Sequence, residues 1–206
     1  MAEAEQPQIY LITPPEFELS IFPNRLSGVL DAIDIACVRL ALSSTDEDRI
    51  LRAADALRDV AHARDVPLVI ESHLQLVVRL GLDGVHLPDG SRTVRAARKA
   101  LGEDAIVGAY CGASRHDGMT AAEIGADYVA FGPVAPTHLG DGSFADAEIF
   151  AWWSEMIEVP VVAEGALDVA QMRALAPVTD FFGIGPEIWQ AEDSVLALRD
   201  LVAAML

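Results

Sequence analysis

Gly125-Ala-Asp-Tyr-Val-Ala-Phe-Gly-Pro-Val-Ala-Pro-Thr137 (GADYVAFGPVAPT) sets how the rest of the chain is read. Asp127 to Gly132 is a short run bounded by glycine, and Tyr128, Val129 and Phe131 favour an extended backbone. Gly132-Pro133 and Ala135-Pro136-Thr137 follow at once, so the run reads as a buried strand that empties into a tight, proline-shaped loop. In parallel α/β folds ligands gather at the C-terminal ends of strands, so this loop is the first place to look for a site.

The same strand-loop-helix rhythm runs in both directions from that stretch. Strands are expected at Ile9–Thr13, Asp34–Leu42, Pro67–Ile70, Asp83–Leu87, Ala105–Tyr110, Asp127–Gly132, Pro160–Ala163 and Asp180–Ile184. Helices are expected near Asn24–Ala32, from a Thr45 or Asp46 cap to Ala63, from a Ser72 cap through Leu80, at Ser91–Leu101, Met119–Ile124, Asp146–Ile157, Leu167–Leu175 and Ser194–Met205. Alternating βα units require a parallel sheet, and eight of them close as a single (β/α)₈ TIM barrel, an α/β fold occupying residues 1–206 as one domain. A doubly wound open sheet is the rival. Its glycine-rich first turn is replaced here by Thr13-Pro14-Pro15-Glu16, which cannot cradle a pyrophosphate with amides.

With 206 residues, 52% of them hydrophobic, the chain can build one sizeable core. Thirty-two acidic against fourteen basic residues give a formal charge of −18, which argues against nucleic acid or an anionic membrane as partner. No run reaches the ~18 apolar residues of a membrane helix, and the polar, acidic N-terminus does not read as a secretory signal. Cytoplasmic location, with Cys37 and Cys111 as reduced thiols, is the expectation. A homo-oligomer is compatible with the sequence.

Arg39 is the sharpest chemical signal. An arginine in an apolar strand needs an anion, and either a carboxylate (Glu71 or Glu164) or a ligand phosphate would serve. His86, in Asp83-Gly-Val-His-Leu87, reads as a hydrogen-bonded core histidine or as a catalyst. Glu164 ends the seventh strand and is a candidate base, metal ligand or partner of Arg39. Tyr110, Thr137 and His138 sit at strand ends or in the loop beyond them. Gly165-Ala166 and Gly183-Ile184-Gly185 fall where many barrels hold phosphate with backbone amides, although Pro186 removes one amide. No zinc spacing, GxGxxG, Walker loop or serine elbow is present.

Asp83-Gly-Val-His-Leu87, Gly125-Ala-Asp-Tyr128, Phe131-Gly-Pro-Val134 with Pro136-Thr137, and Pro160-Val-Val-Ala163-Glu-Gly165 resemble the thiamine phosphate synthase family, which includes the related thiazole tautomerase TenI. Ile9–Thr13 resembles the family's opening strand, and the likeness covers nearly the whole chain in order. The resemblance implies a (β/α)₈ barrel that joins a pyrimidine pyrophosphate to a thiazole phosphate, with Mg²⁺ on the leaving group, and hence a small phosphorylated heterocycle as partner. From their places at the strand ends and in the loops beyond them, Arg39, His86, Glu164 and His138 are the catalytic candidates, and Thr137, Tyr110, Gly165, Ala166, Gly183 and Gly185 the candidate ligand contacts. The chain departs from the family pattern at several positions. Arg39 to Ser43 stands against Gln-x-Arg-Glu-Lys, and Glu71-Ser72 replaces Asn-Asp. Pro88-Asp89-Gly90-Ser91 stands against Gly-Gln-x-Asp, and Tyr110 replaces a serine. The lysine beyond Pro-Thr is missing, leaving Lys99 as the only lysine. The family's Mg²⁺-binding aspartates are thus unmatched and no metal site is expected, with Glu71 and Asp89 the only nearby substitutes. The tautomerase's loop histidine corresponds to Pro133, with His138 close by.

Overall fold

The computed structural model of the chain describes residues 6–137 and 142–205. Eight parallel strands close into a barrel in sequence order: β1 (Gln8–Ile12), β2 (Cys37–Leu40), β3 (Leu68–Glu71), β4 (Gly84–Leu87), β5 (Ile106–Tyr110), β6 (Tyr128–Phe131), β7 (Val161–Glu164) and β8 (Phe181–Ile184). Each is four or five residues long; β2, β4, β5, β6 and β8 are the cores of longer expected runs, whereas β1 is shifted back by one residue and β3 and β7 forward by one, so that they take in Glu71 and Glu164.

Around them lie α1 (Phe22–Ala32), α2 (Glu47–His62), α3 (Leu74–Leu80), α4 (Val94–Leu101), α5 (Arg115–Glu123), α6 (Ala147–Met156), α7 (Val169–Leu175), α8 (Pro186–Trp189) and α9 (Ser194–Val202). The outward strand residues, such as Leu11, Val38, Ile70 and Val129, form one buried cluster with the helices' inner faces, including Leu26, Leu57, Phe150 and Trp153. On α2 the stripe Ile50, Ala53, Ala54, Leu57 and Ala61 is buried, as its spacing predicts. Asp46, Ser114, Asp146, Asp168 and Asp193 each accept a backbone N–H at a helix start.

Several helix boundaries differ from the sequence reading, the starts of α3, α4 and α5 among them. Ser72 does not cap α3; its φ of 68° places it in the left-handed region, and the helix starts at Leu74. Helix α5 begins at Arg115, because Ser114 supplies the cap, and α4 begins only at Val94. The short α8 is a helix for which the sequence analysis has no counterpart. Proline at its first position suits a helix start, and Trp189 pins it by donating its indole N–H to the Ile12 carbonyl at 2.6 Å.

At the N-terminal end of the barrel one device recurs. Asp83, Asp127 and Asp180, each directly before an even-numbered strand, accept the backbone N–H of Leu68, Val107 and Val161 at 2.7, 2.7 and 2.8 Å. Each carboxylate ties the start of an odd strand to the strand that follows it.

Register partners in neighbouring parallel strands face the same side. Glu71 pairs with His86, His86 with Gly108, Gly108 with Tyr128, Glu164 with Gly183, and Gly183 with Tyr10, so all of these point into the barrel. Arg39, paired with Val69, belongs to the same inward set. The interior apolar cluster is small: Tyr10, Cys37, Val69, Tyr128, Ala130 and Val162. Tyr128 fits only because its neighbour is glycine. A Cβ at position 108 would lie 2.0 Å from Tyr128 Cζ and 2.3 Å from its hydroxyl.

Gly108→Ala should therefore force Tyr128 to shift and cost ~1–3 kcal/mol, the range for overpacking a filled core. Urea unfolding of the variant checks this, and an unchanged midpoint would show that the tyrosine has room to move.

Candidate functional site

The site is built on one buried ion pair. Arg39 stands one residue before the end of β2 and is 5% exposed. Its Nη1 and Nη2 donate to the two carboxylate oxygens of Glu164, the last residue of β7, at 3.0 and 3.1 Å. This is the fork geometry that only arginine supplies. Burial, the largest single influence, would lower the guanidinium pKa, but its surroundings, with the Glu164 carboxylate foremost and the tyrosines adding to it, together leave it raised. Arg39 Nε has no hydrogen-bond partner, and the nearest carboxylate oxygen to it in an ion pair is Glu71 Oε2 at 3.8 Å. Both carboxylates considered from sequence thus flank the arginine, with Glu164 holding it and Glu71 standing off.

The network continues through His86, which is 1% exposed. Arg39 Nη1 donates to His86 Nε2 at 2.6 Å. A guanidinium has no acceptor, so Nε2 must be unprotonated, and Nδ1–H then donates to the Tyr128 hydroxyl at 2.9 Å. The Tyr128 and Tyr10 hydroxyls meet at 2.6 Å. Burial, then the charge of Arg39, holds the imidazole pKa well below its ordinary value, so His86 is neutral. Burial is also the main reason that both tyrosine hydroxyls titrate above their usual range. His86 is thus a hydrogen-bonded link between the arginine and the tyrosines, a neutral acceptor with a fixed tautomer.

The remaining sequence-chosen residues surround the pair. The Tyr110 hydroxyl donates to the Gly132 carbonyl at 2.5 Å and so ties the end of β5 to the loop after β6; burial, then Glu164, raises its pKa. Gly165 and Ala166 follow Glu164 with φ of 77° and 59°, two consecutive left-handed residues that turn the chain off β7. Gly183 lies inside β8, where a Cβ would come within 2.8 Å of Glu164 Cβ; it makes room for the ion pair. Gly185 follows β8, and Thr137 lies six residues beyond the end of β6. His138 falls outside the described residues. Cys37 and Cys111 are free and buried, and burial first of all pushes both thiols up to about 12, leaving them unreactive.

Sequence reasoning missed Glu187. Its carboxylate accepts the backbone N–H of Gly185 at 2.9 Å and that of Leu167 at 3.3 Å, bridging the loops after β8 and β7. The tyrosine pair was missed too, since both tyrosines read simply as strand formers.

Among the described residues no group of three or more His, Cys, Asp and Glu side chains is placed to hold a metal ion. Asp89 is engaged by the Thr93 hydroxyl at 2.8 Å, and Glu71 stands beside Arg39. These donors do not fit the octahedral oxygen array that Mg²⁺ takes.

A family model described as thiamine monophosphate synthase matches residues 9–180. The chain belongs to the thiamine monophosphate synthase family. A thiamine-phosphate synthase of Rhodospirillum centenum is 44% identical over 184 residues, covering 88% of this chain and 89% of that protein. The thiamine-phosphate synthase of Erythrobacter litoralis is 35% identical over 213 residues, covering 99% and 100%. In structure, the barrel matches thiamine phosphate pyrophosphorylase from Pyrococcus furiosus with a TM-score of 0.80 at 22% identity, over 97% of this chain and 96% of that one. This last likeness shows the fold. Among the described residues of this family member no helix is long and apolar enough to cross a membrane.

Two outcomes follow from the buried network. Arg39→Met leaves Glu164 without a counter-charge in a buried site and should cost ~3–5 kcal/mol of stability. Adding Glu164→Gln should return part of that loss, and urea titration of the single and double variants checks both. His86 gives a pH dependence. The unfolded imidazole takes up a proton near pH ~6.5 that the folded one refuses, so stability present above that pH is lost as pH falls, by up to ~1.4 kcal/mol per pH unit. His86→Gln, compared with the parent by urea titration at about pH 7.5 and about pH 5.5, should remove that share of the slope.

Proposed function

We propose that the chain works in thiamine biosynthesis, in the cytoplasm, as a one-domain barrel over residues 1–206. It takes a phosphorylated pyrimidine or thiazole at the C-terminal mouth and joins or processes it. The observation that carries this reading is the fixed guanidinium of Arg39 at the floor of the mouth, in a chain whose curated relatives are named thiamine-phosphate synthase. In this reading Glu164 and His86 hold Arg39 in place, and Glu71 and Tyr110 border the heterocycle. Gly165, Ala166, Gly185 and Thr137 line the side where the phosphate enters, with His138 in the loop beyond. The side chains bind, orient and exclude water.

A second reading, a barrel that binds such a ligand with little turnover, is favoured by one observation. Arg39 is the only Lys or Arg on the eight strands, and Glu164 already matches its charge. The single lysine, Lys99, lies exposed on α4. Ejecting pyrophosphate builds negative charge that needs preorganised cations, and loss of one such donor typically costs ~10²–10³ in rate.

The test is a thermal-shift and calorimetric screen against thiazole phosphate, pyrimidine phosphates and thiamine phosphate, with a product assay alongside. A ligand should raise the unfolding midpoint by mass action. Coupled product from pyrimidine pyrophosphate and thiazole phosphate is expected at least ~10²-fold below an ordinary turnover of about one per second. Turnover at that ordinary rate would reject the second reading, and no binding by any of these compounds would reject the first. Calorimetry with Mg²⁺ alone should show no micromolar binding, as the donor set predicts.

A further inference from the structure

Glu187 sits where the fold would otherwise leave amide donors free. In barrels of this kind the loops after the seventh and eighth strands, with a short extra helix, commonly seat a phosphate on backbone N–H groups. Here those loops converge on a single carboxylate of the chain itself: Leu167 N–H on Glu187 Oε1 at 3.3 Å and Gly185 N–H on Oε2 at 2.9 Å. The same substitution occurs a few residues away, where Glu164 takes both Nη groups of Arg39. The strand residues facing the mouth therefore carry one guanidinium against two carboxylates, Glu71 and Glu164, and the whole chain carries a formal charge of −18. Nothing in this surrounding field recruits an extra carboxylate; Glu187 is held by the two amides.

We propose that Glu187 is a specificity-determining residue, a resident anion that competes with a ligand's phosphate for the amides of Leu167 and Gly185. The side chain is only half-buried, so it can swing into solvent when a stronger acceptor arrives. A phosphate must displace it and meets its negative charge nearby, so phosphorylated ligands bind more weakly than the amides alone would allow. A ligand without phosphate has nothing to displace. This inference rests on the reading of the mouth as a heterocycle site, but the competition is between anions and can be read with inorganic phosphate alone.

The experiment measures affinity by calorimetry for inorganic phosphate, thiazole phosphate and the thiazole alcohol, on the parent protein, Glu187→Ala and Glu187→Gln. Glu187→Ala is expected to bind both phosphate probes at least about tenfold more tightly, since charge-assisted hydrogen bonds become available. Glu187→Gln, which keeps an acceptor but loses the charge, should fall between. Affinity for the alcohol should stay within about twofold. A gain in affinity cannot come from misfolding, and circular dichroism with thermal melts confirms that each variant is folded. Unchanged, weaker or undetectable phosphate binding in folded Glu187→Ala overturns the proposal. If phosphate tightens but no thiazole compound binds any of the three proteins, the proposal stands and the heterocycle reading fails. If thiazole compounds bind without regard to Glu187, the reverse holds.

Discussion

A guanidinium cannot be left alone inside a barrel of apolar strands, and most of what surrounds Arg39 answers that requirement. Glu164, from the strand five positions further along the sheet, supplies both oxygens; Gly183 beside it has no Cβ, so the glutamate can lie across. His86 is held neutral by burial and by the same positive charge, which makes it an acceptor for Arg39 and a donor to Tyr128. Tyr128 in turn needs Gly108 to fit and Tyr10 to complete its hydrogen bonding. A single charge thus fixes residues on β1, β2, β4, β6 and β7. Polar networks of this kind are costly when broken because each member has few alternatives in a dry interior.

The same pair shapes what the mouth can do. A guanidinium with an open face would attract a phosphate, whereas one forked onto a carboxylate presents a dipole with little net charge. With Glu71 close by, the floor is better described as a polar, slightly anionic surface than as a cationic pocket. Membership of a synthase family fixes the barrel, while the residues at the strand ends decide what chemistry its mouth can perform.

Much of this was legible in the sequence, for particular reasons. Strands buried on both faces are apolar runs with sharp glycine, proline or aspartate edges, so all eight could be placed. Arg39 stood out because a charge inside such a run has to be explained. Which glutamate held it could not be read, since Glu71 and Glu164 both end strands and the answer depends on the closed geometry of the barrel. Ser72 looked like a cap because serine commonly is one, yet its left-handed backbone is set by the turn off β3. Ser114 was passed over because it lies in a run of small and polar residues with no apolar period behind it. Glu187 was hidden by Pro186, which reads as a loop residue until its place at the first position of α8 is known. Tyr10 and Tyr128 lie 118 positions apart, and no local pattern joins them.

The aspartates at the closed end of the barrel divide the molecule in a way that the evenly spaced strands conceal. Asp83, Asp127 and Asp180 clasp β3 to β4, β5 to β6 and β7 to β8, and among the described residues no such clasp joins β4 to β5 or β6 to β7. The sheet is continuous, but three of the four strand pairs along its lower rim are fastened this way, and among the described residues β1 and β2 share no such bond. New chain ends could then be opened between pairs, in the connections after α4 or α6, without severing a clasped pair, whereas a cut after α3 or α5 would separate a strand from the carboxylate that finishes it. The barrel is round in shape, and six of its eight strands are fastened in twos.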